Sequence, residues 1–208
     1  LQWGTPLDVK MYQQWSDYYR AVVDVKSKLK LKGCVTALPM AGAGSRFSKE
    51  GYGVPKPFLM VNGEYMVDQA VRCLPMTDKT IFGALESHMS MMPLEEYPEV
   101  VWFKETPTEG QSITTSKIVE KIDNDTSILL SACDNGALYD SDKFADLIED
   151  QDNDIVVWSY RNNYTAHHNP NMYSWLEVDE NDTIKKVNVK KFTGENPVDA
   201  VSYTHLRA

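Results

Sequence analysis

Two short runs carry residue types that could do chemistry. The first spans Cys34 to Pro57, CVTALPMAGAGSRFSKEGYGVPKP, an apolar strand-like stretch that opens into a glycine-rich loop. Gly42 and Gly44 remove side chains where a backbone has to come close to an anion, and successive main-chain N–H groups in such a turn form a concavity suited to phosphate oxygens. Arg46 and Lys56 add positive charge, and Pro55 and Pro57 restrict the lysine's approach. The chemistry is that of a nucleotide-phosphate cradle. The run lacks both the third glycine of a GxGxxG loop and the GK[ST] ending of a P-loop, and a glycine loop alone is equally an ordinary strand-to-helix turn. The second run is Leu129-Leu130-Ser131-Ala132-Cys133-Asp134-Asn135, an apolar strand ending on a carboxylate. Asp134 suits Mg2+, which takes one or two carboxylates with phosphate oxygens and water. Alone, Asp134-Asn135-Gly136 reads first as turn chemistry.

The elements that must position these runs follow from periodicity. Thr5-Pro6-Leu7-Asp8 reads as a helix start, and Val9, Tyr12, Trp15, Tyr19, Val22 and Val23 recur at helical spacing to about Lys26, a stripe read as a packing face. Ser27 to Gly33 is a basic connector and a domain boundary. After the cradle, Phe58 to Val61 with Asn62-Gly63 predicts a short strand and tight turn, and Met66 to Leu74 a helix. Strand-like runs at 79–85, 99–103, 127–131 and 154–160 alternate with helical runs at 111–122 and 141–148. That alternation predicts a mostly parallel sheet with helices on both faces, whose ligands gather outside the carboxyl ends of the strands. Both the cradle and Asp134 fall there. Residues 172–178 and 183–189 predict a hairpin joined by 179–182.

Composition narrows the function classes. The chain has 208 residues, 42% hydrophobic content and a net charge of −9, enough for a full core and unsuited to a broad nucleic-acid or anionic-membrane surface. No apolar run approaches a membrane span and no signal segment opens the chain, so the expected location is cytoplasmic. Cys34, Cys73 and Cys133 lack CxxC or CxxH spacing and read as reduced core thiols. His167-His168 reads as a polar loop and Met89, Met91 and Met92 as core fillers. Asp152-Asn153-Asp154 has the spacing of a glycosyltransferase DxD motif but falls at a strand start.

The combination of Gly42-Ala43-Gly44-Ser45-Arg46-Phe47, Pro55-Lys56-Pro57, Thr106-Pro107-Thr108-Glu109-Gly110, the strand ending at Asp134-Asn135, and 173–179 before Val189-Lys190-Lys191 resembles the sugar-phosphate nucleotidyltransferase family over about residues 34–199. The resemblance implies a three-layer α/β/α, GT-A-like Rossmann fold with a mostly parallel mixed sheet. It also implies transfer of a nucleotidyl group from a nucleoside triphosphate to a sugar-1-phosphate or related phosphate, with release of pyrophosphate, in the style of enzymes supplying capsule or surface-polysaccharide precursors. Carried over by position, Arg46, Lys56 and Asp134 are catalytic, with Asp134 the Mg2+ ligand. Met40, Ala41, Gly42, Ala43, Gly44, Ser45, Glu105, Gly110 and Gln111 bind nucleotide, and Asn135, Tyr173, Glu177 and Lys191 bind the acceptor. Glu105 stands where many relatives carry glutamine, Ser174 replaces a frequent glycine, and Phe192 replaces a proline, so base and acceptor identity do not carry over.

The ends extend the resemblance. Gln2-Trp3-Gly4-Thr5-Pro6 with its helix resembles the family's closing motif, here placed ahead of the cradle. Residues 1–32 are therefore expected to be the tail of a preceding module, 33–200 a nucleotidyltransferase domain incomplete at its C-terminal end, and 201–208 a non-native tail. The second metal-binding aspartate of the closing motif has Gln2 in its place. Expected partners are the nucleotide, the phosphate acceptor, and a homo-oligomer or tandem-domain packing. The alternative function is a non-catalytic nucleotide-binding fragment.

Overall fold

The computed structural model of the 208-residue chain describes residues 5–6, 9–13, 15–17, 29–104, 110–150, 152–161, 166, 170–189, 191–192 and 199–206. The chain forms two compact units, Val25–Val156 with Thr204–Ala208, and Leu1–Asp24 with Val157–Tyr203.

The larger unit is built on β1 (Cys34–Pro39), whose six residues are all buried, as a strand covered on both faces requires. Parallel neighbours are β4 (Lys79–Leu85), with Thr36 opposite Thr80, and β6 (Ser127–Leu130), with Thr36 opposite Leu129. Next to β4 lies β5 (Val100–Phe103), also parallel, so the central order is β5-β4-β1-β6. Residues 204–206 pair antiparallel with β6.

Alternation along β1 and β4 separates two cores. Leu38, Met40, Phe82 and Ala84 pack with Phe58, Met92, Cys133 and Val67, the last from helix α2 (Met66–Arg72). Val35, Ala37 and Ile81 pack on the other face with Ile128 and with Ile118 of α3 (Gln111–Val119). The sheet thus lies between helices, the layered α/β architecture that the strand and helix alternation predicts. A short helix α1 (Ser45–Lys49) follows the glycine loop, and α4 (Ser141–Glu149) is capped by Asp140, whose carboxylate accepts from the main-chain N–H groups of Asp142 and Lys143.

One local expectation holds in part. The short strand predicted from Phe58 to Val61 is confined to the two residues of β2 (Met60–Val61), while Phe58 closes a 3-10 turn, Lys56–Phe58. Pro57 lacks the N–H a ladder needs and favours the turn. The Asn62-Gly63 turn does form, with φ of 53° and 86°, joining β2 to β3 (Glu64–Tyr65). Both central residues at positive φ match the twist of a two-residue hairpin.

In the smaller unit, residues 6, 9–13 and 15–17 are helical. Val9, Tyr12 and Trp15 retain 39%, 43% and 40% exposure, so this part of the expected packing stripe is not buried. The predicted hairpin is β8 (Ser174–Val178) with β9 (Ile184–Asn188), its turn tightened by Asp179 accepting from the N–H groups of Asn181 and Thr183. Trp175 is buried against Ala166, Tyr173 and Phe192. Strand β7 (Ile155–Tyr160) precedes this region. Residues 199–201 pair with β8, so the stretch expected to be a non-native tail contributes to strand β10 (Asp199–Leu206). A foreign sequence can pair as a strand as well as a native one, so the pairing fixes its position and not its origin.

Candidate nucleotide-phosphate site

The site grows from the carboxyl end of β1. The Met40 N–H donates to the Gly83 carbonyl at 2.8 Å, carrying β1 one step past its last paired residue, and Met40 and Ala41 are buried. The chain then surfaces at Gly42 and Ala43. A Cβ added to Gly42 meets nothing within 4 Å, which leaves open space over that backbone. Gly44 adopts φ 58° and ψ 26°, the left-handed region that glycine enters without a steric cost. Its carbonyl accepts from the Phe47 and Ser48 N–H groups, and Ser45 and Arg46 are exposed on the helix that follows.

Lys56 and Asp134 meet. Lys56 Nζ donates to Asp134 Oδ2 although 78 positions separate the two in sequence, and their side chains are 25% and 32% exposed. The lysine stem rises beside the glycine turn, with Lys56 Cβ 3.5 Å from the position a Gly44 Cβ would take, and its ammonium lies 6.0 Å from the centre of the Phe47 ring. Asp134 is presented by β6, whose pairing continues through the Ser131 N–H to the Ala37 carbonyl at 3.1 Å. The strands therefore bring the glycine turn, an ammonium and a carboxylate to one end of the sheet. Cys133 beside them is buried, and loss of hydration, reinforced by the Asp134 charge, pushes its thiol up to about 11.

Residues the motif reading passed over hold Lys56 in place. Phe58 is 2% exposed, and the rings of Tyr65 and His88 stand edge-on to it at 5.7 and 5.4 Å. Its N–H closes the turn on the Pro55 carbonyl at 3.0 Å. His88, also 2% exposed, has a buried Nδ1 with no hydrogen-bond partner among the described residues, and desolvation lowers its pKa. A single histidine in a loop gave no sequence signal. Gly83 did, as an isolated glycine in a strand, a mark of close backbone approach.

The other expected site residues fall as follows. Gly110 precedes α3 with φ 146° and Gln111 opens that helix, while Glu105 lies outside the described residues, as do His167 and His168. Asn135 is half-buried after Asp134. Tyr173, Glu177 and Lys191 belong to the smaller unit. There Glu177 accepts from Asn188 Nδ2 at 2.9 Å and Lys186 Nζ at 3.0 Å, and these two bonds hold its carboxyl below the usual range. Lys191 is exposed. Cys34, Cys73 and Cys133 are free and buried, as expected. Met92 fills the core as read, whereas Met89 is 48% exposed. Asp152 and Asn153 lie in a turn in which the Asp152 main-chain N–H donates to Asp150 Oδ1 and Asn153 Nδ2 donates to the Leu147 carbonyl, and Asp154 directly precedes β7.

A cavity of about 870 Å³ lies on the α2 face toward the amino ends of β1 and β4, lined by Thr36, Thr80, Asp68, Arg72, Glu96 and Tyr97 among others, away from the Lys56–Asp134 pair. Burial, then the charges of Glu96 and Glu64, raise the Asp68 pKa.

The donor set can be tested against Mg2+. Among the described residues no group of three or more His, Cys, Asp or Glu could hold a metal ion. A single carboxylate, its side chain about a third exposed, nonetheless fits a Mg2+ that arrives on phosphate oxygens and keeps its waters. No helix among the described residues is long and apolar enough to cross a membrane.

No protein-family model matches the chain, and no curated protein matches it. Among solved structures, a nucleoside-diphosphate-sugar pyrophosphorylase from Vibrio cholerae RC9 is similar at 18% identity and a TM-score of 0.61, over 83% of this chain and 73% of that one. The inositol-1-phosphate CTP transferase from T. maritima gives 16% identity and a TM-score of 0.62, over 83% and 70%. A CMP:2-keto-3-deoxy-manno-octonic acid synthetase complexed with CTP gives 9% and 0.55, over 86% and 74%. At these identities the likeness is one of fold: the chain has the mixed α/β architecture with a parallel central sheet seen in those nucleotidyl-transferring enzymes.

Proposed function

We propose that this chain is a nucleotidyltransferase module that moves a nucleoside monophosphate group from a nucleoside triphosphate to a sugar-1-phosphate or related phosphate, releasing pyrophosphate. The observation that carries the reading is the meeting of Lys56 and Asp134 beside the Gly42–Gly44 turn at the carboxyl ends of β1 and β6. One of the similar structures is an inositol-1-phosphate CTP transferase, whose name describes a transfer of this kind, and the motif resemblance adds a role in surface-polysaccharide precursor supply; a cytoplasmic location is part of the same proposal.

The chemistry asks little covalent work of the protein. An acceptor phosphate oxygen attacks the α-phosphorus in line, forming a new O–P bond as the bond to the β-phosphate oxygen breaks, and pyrophosphate leaves with the electron pair. The acceptor oxygen is already anionic, so no base is needed. The Gly42–Ser45 backbone seats the phosphates, Arg46 neutralises the leaving pyrophosphate, and Lys56 contacts the reacting phosphates. Mg2+ held by Asp134 would neutralise charge on the α-phosphate. Asn135, Tyr173, Glu177 and Lys191 are proposed acceptor contacts, and Glu105, Gly110 and Gln111 base contacts.

The test is pyrophosphate release from CTP, UTP, GTP, ATP and dTTP with Mg2+ and a panel of sugar and polyol phosphates. Acceptor-dependent release should fall by roughly 100-fold or more in Asp134→Ala, and should also fall in Lys191→Ala. Nucleotide binding without release under any combination would leave a non-catalytic binding module. No binding at all would overturn the cradle assignment.

A further inference from the structure

The Lys56–Asp134 pair sets a condition on how the site fills. Each member is the group proposed for one ligand: Lys56 for the phosphates, Asp134 for the divalent cation. Here each occupies the other, in a setting only a quarter to a third exposed, where water screens the attraction less than at an open surface.

We propose that this pair is a resting latch that makes binding of the divalent cation and of the triphosphate joint events. The inference rests on the nucleotide-phosphate reading of the site and deepens it. A divalent cation reaching Asp134 alone has to displace the ammonium and leaves two like charges side by side. A phosphate chain reaching Lys56 alone has to part it from Asp134 and then lies beside a bare carboxylate. When both arrive together the partners exchange, lysine to phosphate and carboxylate to cation, and no charge is left unpaired.

The surroundings make exchange feasible without moving the backbone. The turn under Lys56 is held by the packed Phe58, with His88 and Tyr65 edge-on to its ring. The lysine stem stands against Gly44, and the Phe47 ring lies within cation–π range of the ammonium, so a displaced head keeps a favourable neighbour. Only the outer bonds of the stem need rotate.

The test is calorimetric titration of the full chain with MgCl2 alone, with tripolyphosphate in EDTA, and with both. Tripolyphosphate supplies the phosphate chain without a base. Breaking the latch from either side should improve binding of the opposite ligand alone. Lys56→Met should bind Mg2+, and Asp134→Asn should bind tripolyphosphate in EDTA, each at least about fivefold tighter than the wild type. Lys56→Arg, which preserves the pair, should keep the wild-type pattern. Circular dichroism checks that each variant is folded. A gain in one variant only, or in neither, overturns the latch while Mg2+–tripolyphosphate binding by the wild type still supports the site. The Asp134→Asn gain should also shrink in the Lys56→Met background, since an equal gain there is plain charge repulsion and overturns the latch. Failure of the wild type to bind Mg2+–tripolyphosphate sinks both readings.

Discussion

Gly42 and Gly44 look alike in the sequence, and the structure gives them different work. Gly44 is in the left-handed region, so Gly44→Ala places a Cβ on a backbone that disfavours it, at a cost of about 1 kcal/mol. The space around it is ordinary, 3.5 Å to Lys56 Cβ, so the penalty is conformational. Gly42 has neither positive φ nor a neighbour within reach, and Gly42→Ala should leave stability within about 0.5 kcal/mol of the wild type. If the open space over Gly42 is where phosphate oxygens approach, that same methyl weakens Mg2+–tripolyphosphate binding by roughly tenfold, the loss of about one hydrogen bond to an anion. Urea denaturation and calorimetry on the two variants separate the effects. Equal binding by Gly42→Ala and wild type would remove the cradle from that backbone. Residue types alone showed that glycines, a lysine and a carboxylate were available for phosphate chemistry. They could not show that Lys56 and Asp134 touch, because that contact is made by the register of β1 and β6 across 78 positions.

At the scale of elements, strands and helices were legible wherever periodicity was long and boundaries were polar: β1, β4, β6, α3 and the β8–β9 hairpin stand close to where the pattern puts them. Phe58 to Val61 misled at its Phe58 end because four apolar residues satisfy a strand pattern as well as a turn that buries one ring. The closeness of α3 to β4 has no period, and its one mark in the sequence was an isolated glycine within a strand run. It depends on Gly83, where an added Cβ would stand 2.6 Å from Thr114 Cγ2 and 3.0 Å from Ile118 Cδ1. Gly83→Ala therefore has to push α3 outward or strain both side chains, at a cost of roughly 1 to 3 kcal/mol. The Gly83 carbonyl also receives the Met40 N–H, so the strain reaches the start of the glycine loop. Adding Thr114→Ser removes the closest clashing atom and should restore part of the lost stability in urea denaturation. No recovery in the double variant would mean that α3 does not lie against β4 at Gly83.

For the larger unit as a whole, burial of weak acids predicts the direction of its alkaline limit. Cys34 is 2% exposed at the centre of the sheet, and loss of hydration, with a smaller contribution from the Asp78 charge, pushes its thiol from 9.0 up to about 11. Burial raises the Cys73 thiol and the Tyr97 hydroxyl in the same direction. Between pH 9 and 11 the unfolded chain releases the Cys34 proton while the folded chain keeps it. The unfolded state then binds fewer protons, so stability falls as pH rises. The contribution is fully present below pH 9, is reduced by about 1 kcal/mol at pH 10, and is gone above the folded value near 11. Urea midpoints at pH 7, 9 and 10 should therefore descend above pH 9. Cys34→Ala loses some stability at every pH through the missing sulfur, yet its descent should be shallower than that of the wild type. Parallel descents in the two proteins would show that Cys34 ionises as readily folded as unfolded, which a thiol this deeply buried cannot do. The sequence carried half of this argument, since apolar neighbours and the absence of CxxC spacing already marked the three cysteines as core thiols. The other half, which thiol lies deepest and how far its ionisation is suppressed, depends on β4 and β6 closing over β1 from both sides.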